Sequence, residues 1–367
     1  MTSLNYIYTF FTAFIISLGL TYILRKIALK FQIVDRPEIS PERKIQKSPV
    51  PLLGGLAIFL AFFITLLIFK NQVISDYILP KYLWGIFIGA LLLMFGGFLD
   101  DKYNLKAKKQ IIWPILAVLI TVGAGIGVKY ISNPFGGFIW LDTLKFNIFT
   151  IGGVPYYLTI FADLFALAWL LGMMYTTKFL DGLDGLVGGI TVIGSVVIFF
   201  MSLTHDVNQS ATALLCLILG GAALGFLIFN FHPARIFLGE GGSLFCGFML
   251  GVLSIISGGK IATALLIMGI PILDVIWVII RRSLLEKKSP FNTSDKKHLH
   301  FRLLDVGFSH RGAVLFLYAL TIIFGSTTLF FKGFSKLVSL VVLAFVMIIL
   351  GLVLVLVYKN KQKKKEA

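Results

Sequence analysis

Long apolar runs, broken by short polar segments, dominate the chain. Eleven of them approach the roughly 20 mostly apolar residues that a membrane-spanning helix needs. They are Leu4–Leu24, Leu52–Phe69, Leu83–Leu99, Ile111–Val128, Leu158–Met174, Leu186–Leu203, Ala211–Phe229, Ser243–Ser257, Ile261–Ile280, Ala313–Phe331 and Leu337–Tyr358. The pattern predicts an all-α polytopic membrane protein of about 11 transmembrane helices. The eighth run is short and rich in glycine. The first lacks a basic start and a small-residue cleavage site, so it reads as a span and not as a cleaved signal peptide.

The stretch 131–157 breaks the helical pattern. There Phe138-Ile139-Trp140 and Phe149-Thr150-Ile151 flank a polar segment and predict a small outer β-hairpin. Residues 1–358 read as one integral-membrane domain and 359–367 as a basic cytoplasmic tail. In that tail Lys363, Lys364 and Lys365 read as an orientation anchor, with a retrieval signal or a lipid-binding patch as secondary readings.

Charge orients the spans. Lys and Arg number 33 against 17 Asp and Glu, for a net charge of +16. In a soluble protein that excess would suggest nucleic acid. Counted by loop, 26 basic residues lie in the alternate loops that begin with 25–51 and in the tail, against seven in the others. Cytoplasmic loops collect Lys and Arg, so the N-terminus is expected outside and the C-terminus in the cytoplasm, with no nucleic-acid partner. Composition agrees: 58% of residues are hydrophobic and only 14% charged, against roughly a quarter charged in soluble domains. One soluble core could not hide so much apolar surface. Cys216 and Cys246 lie in apolar runs without metal-ligand spacing and read as packing thiols.

The acids are few and gathered. Thirteen of the 17 fall in predicted cytoplasmic loops or at cytoplasmic helix ends, and only Asp163 is placed well inside a span. Transporters carry ionisable groups near the midplane. Polar chemistry confined to one face points instead to an enzyme acting on a lipid head group, or to a scaffold for a peripheral partner.

Four motifs carry that chemistry. Asp100-Asp101 follows the third span beside Lys102, Lys106, Lys108 and Lys109. Paired carboxylates push their pKa values apart, which favours one as a base, and lysines hold phosphate as point charges. Lys178-Phe-Leu-Asp181-Gly-Leu-Asp184-Gly places two acids three residues apart, and its glycines permit close approach of a ligand. Asn230-Phe-His-Pro-Ala-Arg235 leads to Gly239-Glu240-Gly-Gly-Ser243, where helix-start N–H groups favour an anion. Lys296-Lys297-His298-Leu-His300-Phe-Arg302 reads as a phosphate or sugar contact, since a zinc site would need further ligands nearby. Four of the five histidines, His232, His298, His300 and His310, are expected on the cytoplasmic side, where most lone ones read as surface residues. The bland alternatives are solvated helix ends and simple turns.

Together these loops resemble the polyprenyl-phosphate N-acetylhexosamine-1-phosphate transferase superfamily. The similarity runs from Asp35 to about Val314. It includes Asp35-Arg36-Pro37, Arg43-Lys44, Pro51-Leu52-Leu53-Gly54-Gly55, Asp100-Asp101, Asp181 to Gly185, Asn230 to Ser243, Pro271 to Asp274 and His298-Leu299-His300. The resemblance implies transfer of a sugar-1-phosphate from a UDP-N-acetylhexosamine to undecaprenyl phosphate in a bacterial cytoplasmic membrane, with release of UMP. It implies an active site on the cytoplasmic face. The His-Leu-His-Phe-Arg-Leu stretch and the eleventh run look more like the GlcNAc-1-phosphate branch, which begins cell-envelope polysaccharide synthesis. A phospho-MurNAc-pentapeptide transferase and a degenerate, non-catalytic membrane scaffold are the competing readings. An exposed apolar span face fits either lipid or a homodimer seam.

By resemblance, Asp100, Asp101, Asp181 and Asp184 are the catalytic set. Lys108, Lys178, Asn230, Arg235, His298, His300 and Arg302 are expected to bind substrate. Asp181 and Glu240 are expected to hold Mg²⁺, with Mn²⁺ as the alternative ion. The chain departs from the usual pattern at four places. Lys178 and Tyr175 stand where asparagines are usual, Glu240 where Asp is usual, and Phe301 where a third His is usual. Two arrangements stay open. Lys178 pairs with Glu240 and supplies part of the metal's charge, or Asp181 and Glu240 hold the ion while Lys178 touches phosphate.

Overall fold

A computed structural model describes residues 3–37, 46, 48–74, 78–133, 135–151, 154–205, 207–258, 261–285 and 298–366. Arg43-Lys44 and Lys296-Lys297 fall outside the described residues.

In chain order the elements begin with α1 (Ser3–Lys30), β1 (Val34–Asp35), β2 (Val50–Pro51), α2 (Gly54–Ile68), α3 (Lys70–Val73) and α4 (Pro80–Tyr103). There follow α5 (Ala107–Gln110), α6 (Ile112–Gly123), the strands β3 (Tyr130–Ser132), β4 (Phe138–Trp140), β5 (Lys145–Ile151) and β6 (Val154–Thr159), and α7 (Ile160–Leu180). Next come α8 (Leu186–Ser202), α9 (Ser210–Asn230), α10 (Glu240–Ile256), α11 (Ile261–Ile267) and α12 (Gly269–Ile280), which ends in a π-helical turn at Arg281–Leu285. The chain closes with α13 (Leu299–Val306), α14 (His310–Phe330) and α15 (Phe334–Glu366).

The protein is a mostly helical, polytopic membrane protein. Among the described residues, α1, α4, α7, α9, α14 and α15 are long and apolar enough to cross a bilayer. A seventh crossing is added if α11 and α12, which meet at a 77° bend, count as one broken span. The apolar helices α2, α8 and α10 have 15, 17 and 17 residues. At about 1.5 Å per residue these are shorter than the roughly 30 Å of a hydrocarbon core.

Two expectations are corrected here. The strands Phe138–Trp140 and Phe149–Ile151 do not pair with each other. Instead β3 pairs with β4, and β5 with β6, both antiparallel. Each strand takes its neighbour across a short turn, which costs less loop entropy than a longer closure. The Tyr130 ring also packs 4.8 Å from Phe138 and 5.4 Å from Trp140. Asp163 is not deep in a span either. It lies in the first turn of α7, where its Oδ2 accepts the Thr159 N–H at 2.7 Å. A helix start leaves such N–H groups without intrahelical partners, so a carboxylate there is stabilising.

The core is built around α9 and α10. Every residue of α10 from Gly241 to Ile255 is buried. In its first turn Gly241 and Gly242 meet α4 and α2 backbone to backbone. A Cβ on Gly97 would stand 2.1 Å from Gly241 N, and one on Gly55 would stand 2.2 Å from Gly242 Cα. The Pro51–Gly55 segment also runs beside the entry to α10. Phe237 N–H donates to Pro51 O at 2.8 Å, and Gly54 and Gly55 donate to the carbonyls of Phe237 and Leu238 at 3.0 and 2.7 Å. Gly97→Ala should therefore force helices apart and cost about 1–3 kcal/mol or more. A thermal melt in detergent checks this: an unchanged melting temperature would contradict the backbone contact.

Candidate active site

Asp101, in the last turn of α4, faces the start of α10. Its Oδ1 and Oδ2 accept the Glu240 N–H at 3.2 and 3.3 Å. The preceding Gly239 has φ +77°, and a Cβ there would lie 2.7 Å from Asp101 Oδ2. A side chain at 239 would meet both the carboxylate and an unfavourable backbone conformation.

Asp100 turns a different way. Its Oδ1 accepts the Leu105 N–H at 2.8 Å and a Gln110 Nε2 hydrogen at 2.9 Å. Gln110 in turn accepts from Lys178 Nζ at 3.1 Å through Oε1. Lys178 forms an ion pair with Glu240. The loop is thus closed: Asp100, Gln110, Lys178, Glu240 and Asp101 form a chain of polar contacts linking α4, α5, α7 and α10. Lys178 and Glu240 are thereby paired between α7 and α10. Both side chains are about one-fifth exposed (19% and 20%), which leaves the pair only partly screened by water.

Asp181 ends α7 and Asp184 precedes α8, with one tight turn between them. Asp181 opens outward. Even so, the surrounding protein strips water from its carboxyl, and Glu240 and then Asp184 repel its charge, which together raise its pKa to about 7. Asp184 is engaged. Its Oδ2 lies 2.7 Å from His232 Nδ1 and accepts the Ala234 N–H at 3.1 Å. Its own N–H donates to His310 Nε2 at 2.9 Å.

Asn230 serves the scaffold. Its Oδ1 accepts the Gly185 N–H and its Nδ2 donates to Ile236 O, both at 2.9 Å. The residue therefore ties the Asp181–Gly185 turn to the segment that leads into α10. Tyr318 adds a hydroxyl bond to Gly185 O from α14.

His298 and His300 flank the start of α13. Asp274 Oδ2 lies 2.8 Å from His298 Nδ1, while Asp274 Oδ1 accepts the Leu299 N–H at 2.9 Å. That carboxylate orients the imidazole and caps the helix together. His298 stacks on Phe179 and on His300. His300 is 1% exposed and lies against Gly182, where a Cβ would come 2.2 Å from its Nε2. Burial lowers its pKa to about 3, so the ring is neutral. Lys108, on α5, and Arg235 are exposed at the rim, and Arg302 is half-buried on α13.

Asp100, Asp101, Asp181, Asp184, Lys178, Asn230, Glu240, His298 and His300 are thereby gathered around the ends of α4, α7, α9 and α10. Sequence reasoning missed Gln110 and gave His232 and His310 no role in the site. His232 and His310 are in fact half-buried partners of Asp184. Their signal was their presence in polar loops at the same face.

The donor set bears on a metal. Asp101 lies within electrostatic reach of Asp100, Asp181 and Glu240. Four carboxylates in one corner, with the Lys178 ammonium bonded among them, leave surplus negative charge. An all-oxygen set of that kind suits a hard divalent cation such as Mg²⁺ or Mn²⁺. A second group, Asp184, His232 and His310, brings one ligand atom each to within 4.8 Å of the others. There His310 Nε2 and Asp184 Oδ2 are already taken by hydrogen bonds, so the carboxylate corner is the better fit.

Comparisons with known proteins agree with this chemistry. The model of glycosyl transferase family 4 matches residues 83–258. The chain is 34% identical over 347 residues to a probable undecaprenyl-phosphate N-acetylglucosaminyl 1-phosphate transferase of Bacillus subtilis (strain 168), covering 92% of this chain and 88% of that protein. It is 33% identical to a decaprenyl-phosphate N-acetylglucosaminephosphotransferase of Mycolicibacterium smegmatis, over 87% of this chain and 81% of the relative. With an undecaprenyl-phosphate alpha-N-acetylglucosaminyl 1-phosphate transferase of Escherichia coli O157:H7 it shares 28% identity, over 85% and 78% of the two chains.

Proposed function

Because the chain belongs to the polyprenyl-phosphate N-acetylhexosamine-1-phosphate transferases of glycosyl transferase family 4, we propose that it transfers GlcNAc-1-phosphate from UDP-GlcNAc to undecaprenyl phosphate. An oxygen of the lipid phosphate forms a bond to the β-phosphorus of the donor. The bond from that phosphorus to the bridging oxygen breaks, and UMP leaves with the electron pair. The product is a lipid diphosphate sugar, the first membrane-bound intermediate of an envelope polysaccharide.

The arrangement of Asp101, Asp181, Glu240 and Lys178 in one corner carries this reading. Phosphoryl transfer depends mainly on positioning and on neutralising negative charge. Asp101 takes the proton of the lipid phosphate or orients that phosphate. Asp100 has Oδ1 committed to Leu105 and Gln110, and it acts by holding Gln110 and, through it, Lys178. Asp181 and Glu240 would hold Mg²⁺, which when bound neutralises charge on the diphosphate. Lys178 contributes a second positive charge beside it. His298, kept in one orientation by Asp274, meets the sugar or phosphate, with Lys108, Arg235 and Arg302 at the rim. The reading includes 11 spans, an outside N-terminus and an active site on the cytoplasmic face of a bacterial inner membrane. The basic loops support that orientation.

Purified protein with undecaprenyl phosphate and Mg²⁺ should release UMP from UDP-GlcNAc. Excess EDTA should abolish release, and added Mg²⁺ should restore it. Release from UDP-MurNAc-pentapeptide alone would move the protein to the peptidoglycan branch. No release from UDP-GlcNAc, UDP-GalNAc or UDP-MurNAc-pentapeptide would favour a non-catalytic scaffold.

A further inference from the structure

Two histidines outside the chemistry above meet the Asp181–Asp184 turn from different sides. His310 is the first residue of α14, and its Nε2 accepts the Asp184 backbone N–H at 2.9 Å. His232, just after α9, places Nδ1 2.7 Å from Asp184 Oδ2. Their rings stack with centroids 4.0 Å apart and planes 13° from parallel. The next residue of α14 joins in: Arg311 Nε donates to His232 O at 2.8 Å. The start of α14 therefore grips the turn directly through His310, and grips the loop that carries His232 through Arg311.

The bonds set the protons. An Nε2 that accepts an N–H carries no hydrogen, so His310 is neutral with its proton on Nδ1. His232 uses Nδ1–H as a donor to the carboxylate, in the manner of a carboxylate-oriented imidazole. Gly185 follows in the turn, with its N–H on Asn230 and its carbonyl on Tyr318. Backbone and carboxylate are thus fixed independently, by different nitrogens of different rings.

We infer that His310 and His232 are positioning residues for the nucleotide-sugar donor: together they set the Asp181–Asp184 turn so that both carboxylates face the ligand. This rests on the proposed transfer reaction. Both residues act through Asp184. Neither needs to touch the reacting phosphorus.

Nitrogen-specific replacement tests it. A Gln carbonyl can stand near the place of an imidazole Nε2, and an Asn amide NH₂ near the place of Nδ1–H. His310→Gln keeps the acceptor and His310→Asn loses it, whereas His232→Asn keeps the donor and His232→Gln loses it. Two readouts are taken on the full-length protein in lipid nanodiscs: steady-state UMP release, and deuterium exchange of the peptide covering 181–189. His310→Asn and His232→Gln should raise KM for UDP-GlcNAc about tenfold or more and speed exchange of the turn. KM for undecaprenyl phosphate should stay within about twofold. His310→Gln and His232→Asn should remain within about threefold of wild type in donor KM, with slow exchange. Equal losses in all four variants, or unchanged exchange in the two disruptive ones, would overturn the inference. If the wild-type protein releases no UMP, the transfer reading fails, and the exchange pattern alone decides whether the histidines hold the turn.

Discussion

Asp181→Asn should reduce the rate of UMP release by at least about 10²-fold while leaving the protein folded, because it removes a charge placed to meet the diphosphate and its cation. The amide has nearly the shape of the carboxyl, so packing is kept. What changes is the charge in a corner where Glu240 and Asp184 already repel it. Without Mg²⁺ the variant should therefore melt no lower than wild type. Mg²⁺ should raise the melting temperature of the wild type more than that of the variant. A variant that stays within a few-fold of wild-type turnover would remove Asp181 from the reaction. One that fails to fold would show that the turn needs the carboxylate for structure.

The second large effect is expected at the Lys178–Glu240 pair. Lys178→Met leaves the Glu240 carboxylate beside Asp101 without its cation, and Glu240→Gln leaves the ammonium with a neutral partner. Stranding one member of a poorly solvated pair costs more than removing both. Each single substitution should lower activity at least about tenfold. The double variant should recover stability relative to Lys178→Met, with a coupling of about 1–3 kcal/mol, and should not recover turnover. Melts and UMP release across the four proteins form the cycle. Strictly additive melting effects would mean that the pair does not hold the site together. Wild-type turnover in the double variant would mean that neither charge serves the reaction.

The apolar pattern made the membrane class legible, and the order of polar motifs along the chain made the family legible; the homologues bear out both the family and the transfer reaction. Asp181, Asp184 and Glu240 stood out because acids are scarce in this chain, and Lys178 because it stands where an asparagine is usual. Gln110 did not, because an amide at the edge of an apolar run carries no pattern, and its bond to Lys178 spans 68 positions. The link from Asp184 to His310 spans 126. His232 and His310 look like loop residues until folding stacks them. The same limit explains the hairpins. Residues 138–140 and 149–151 have the aromatic and β-branched residues that strands favour, but composition does not name a partner. Asp163 was misplaced by a few residues of boundary, and those few residues separate a buried charge from a helix cap.

The glycine contacts between α2, α4 and α10 tie together two properties that are often separable in enzymes. Glu240 begins α10 one residue before Gly241, and Asp101 lies in the last turn of α4 four residues after Gly97, the two glycines whose backbones touch. Any side chain that parts those backbones also changes the spacing of the carboxylates. Tolerance to mutation in this corner is therefore governed by the lesser of two allowances, one for foldability and one for chemistry. A methyl group that would be harmless to the reaction is still excluded there by the neighbouring main chain.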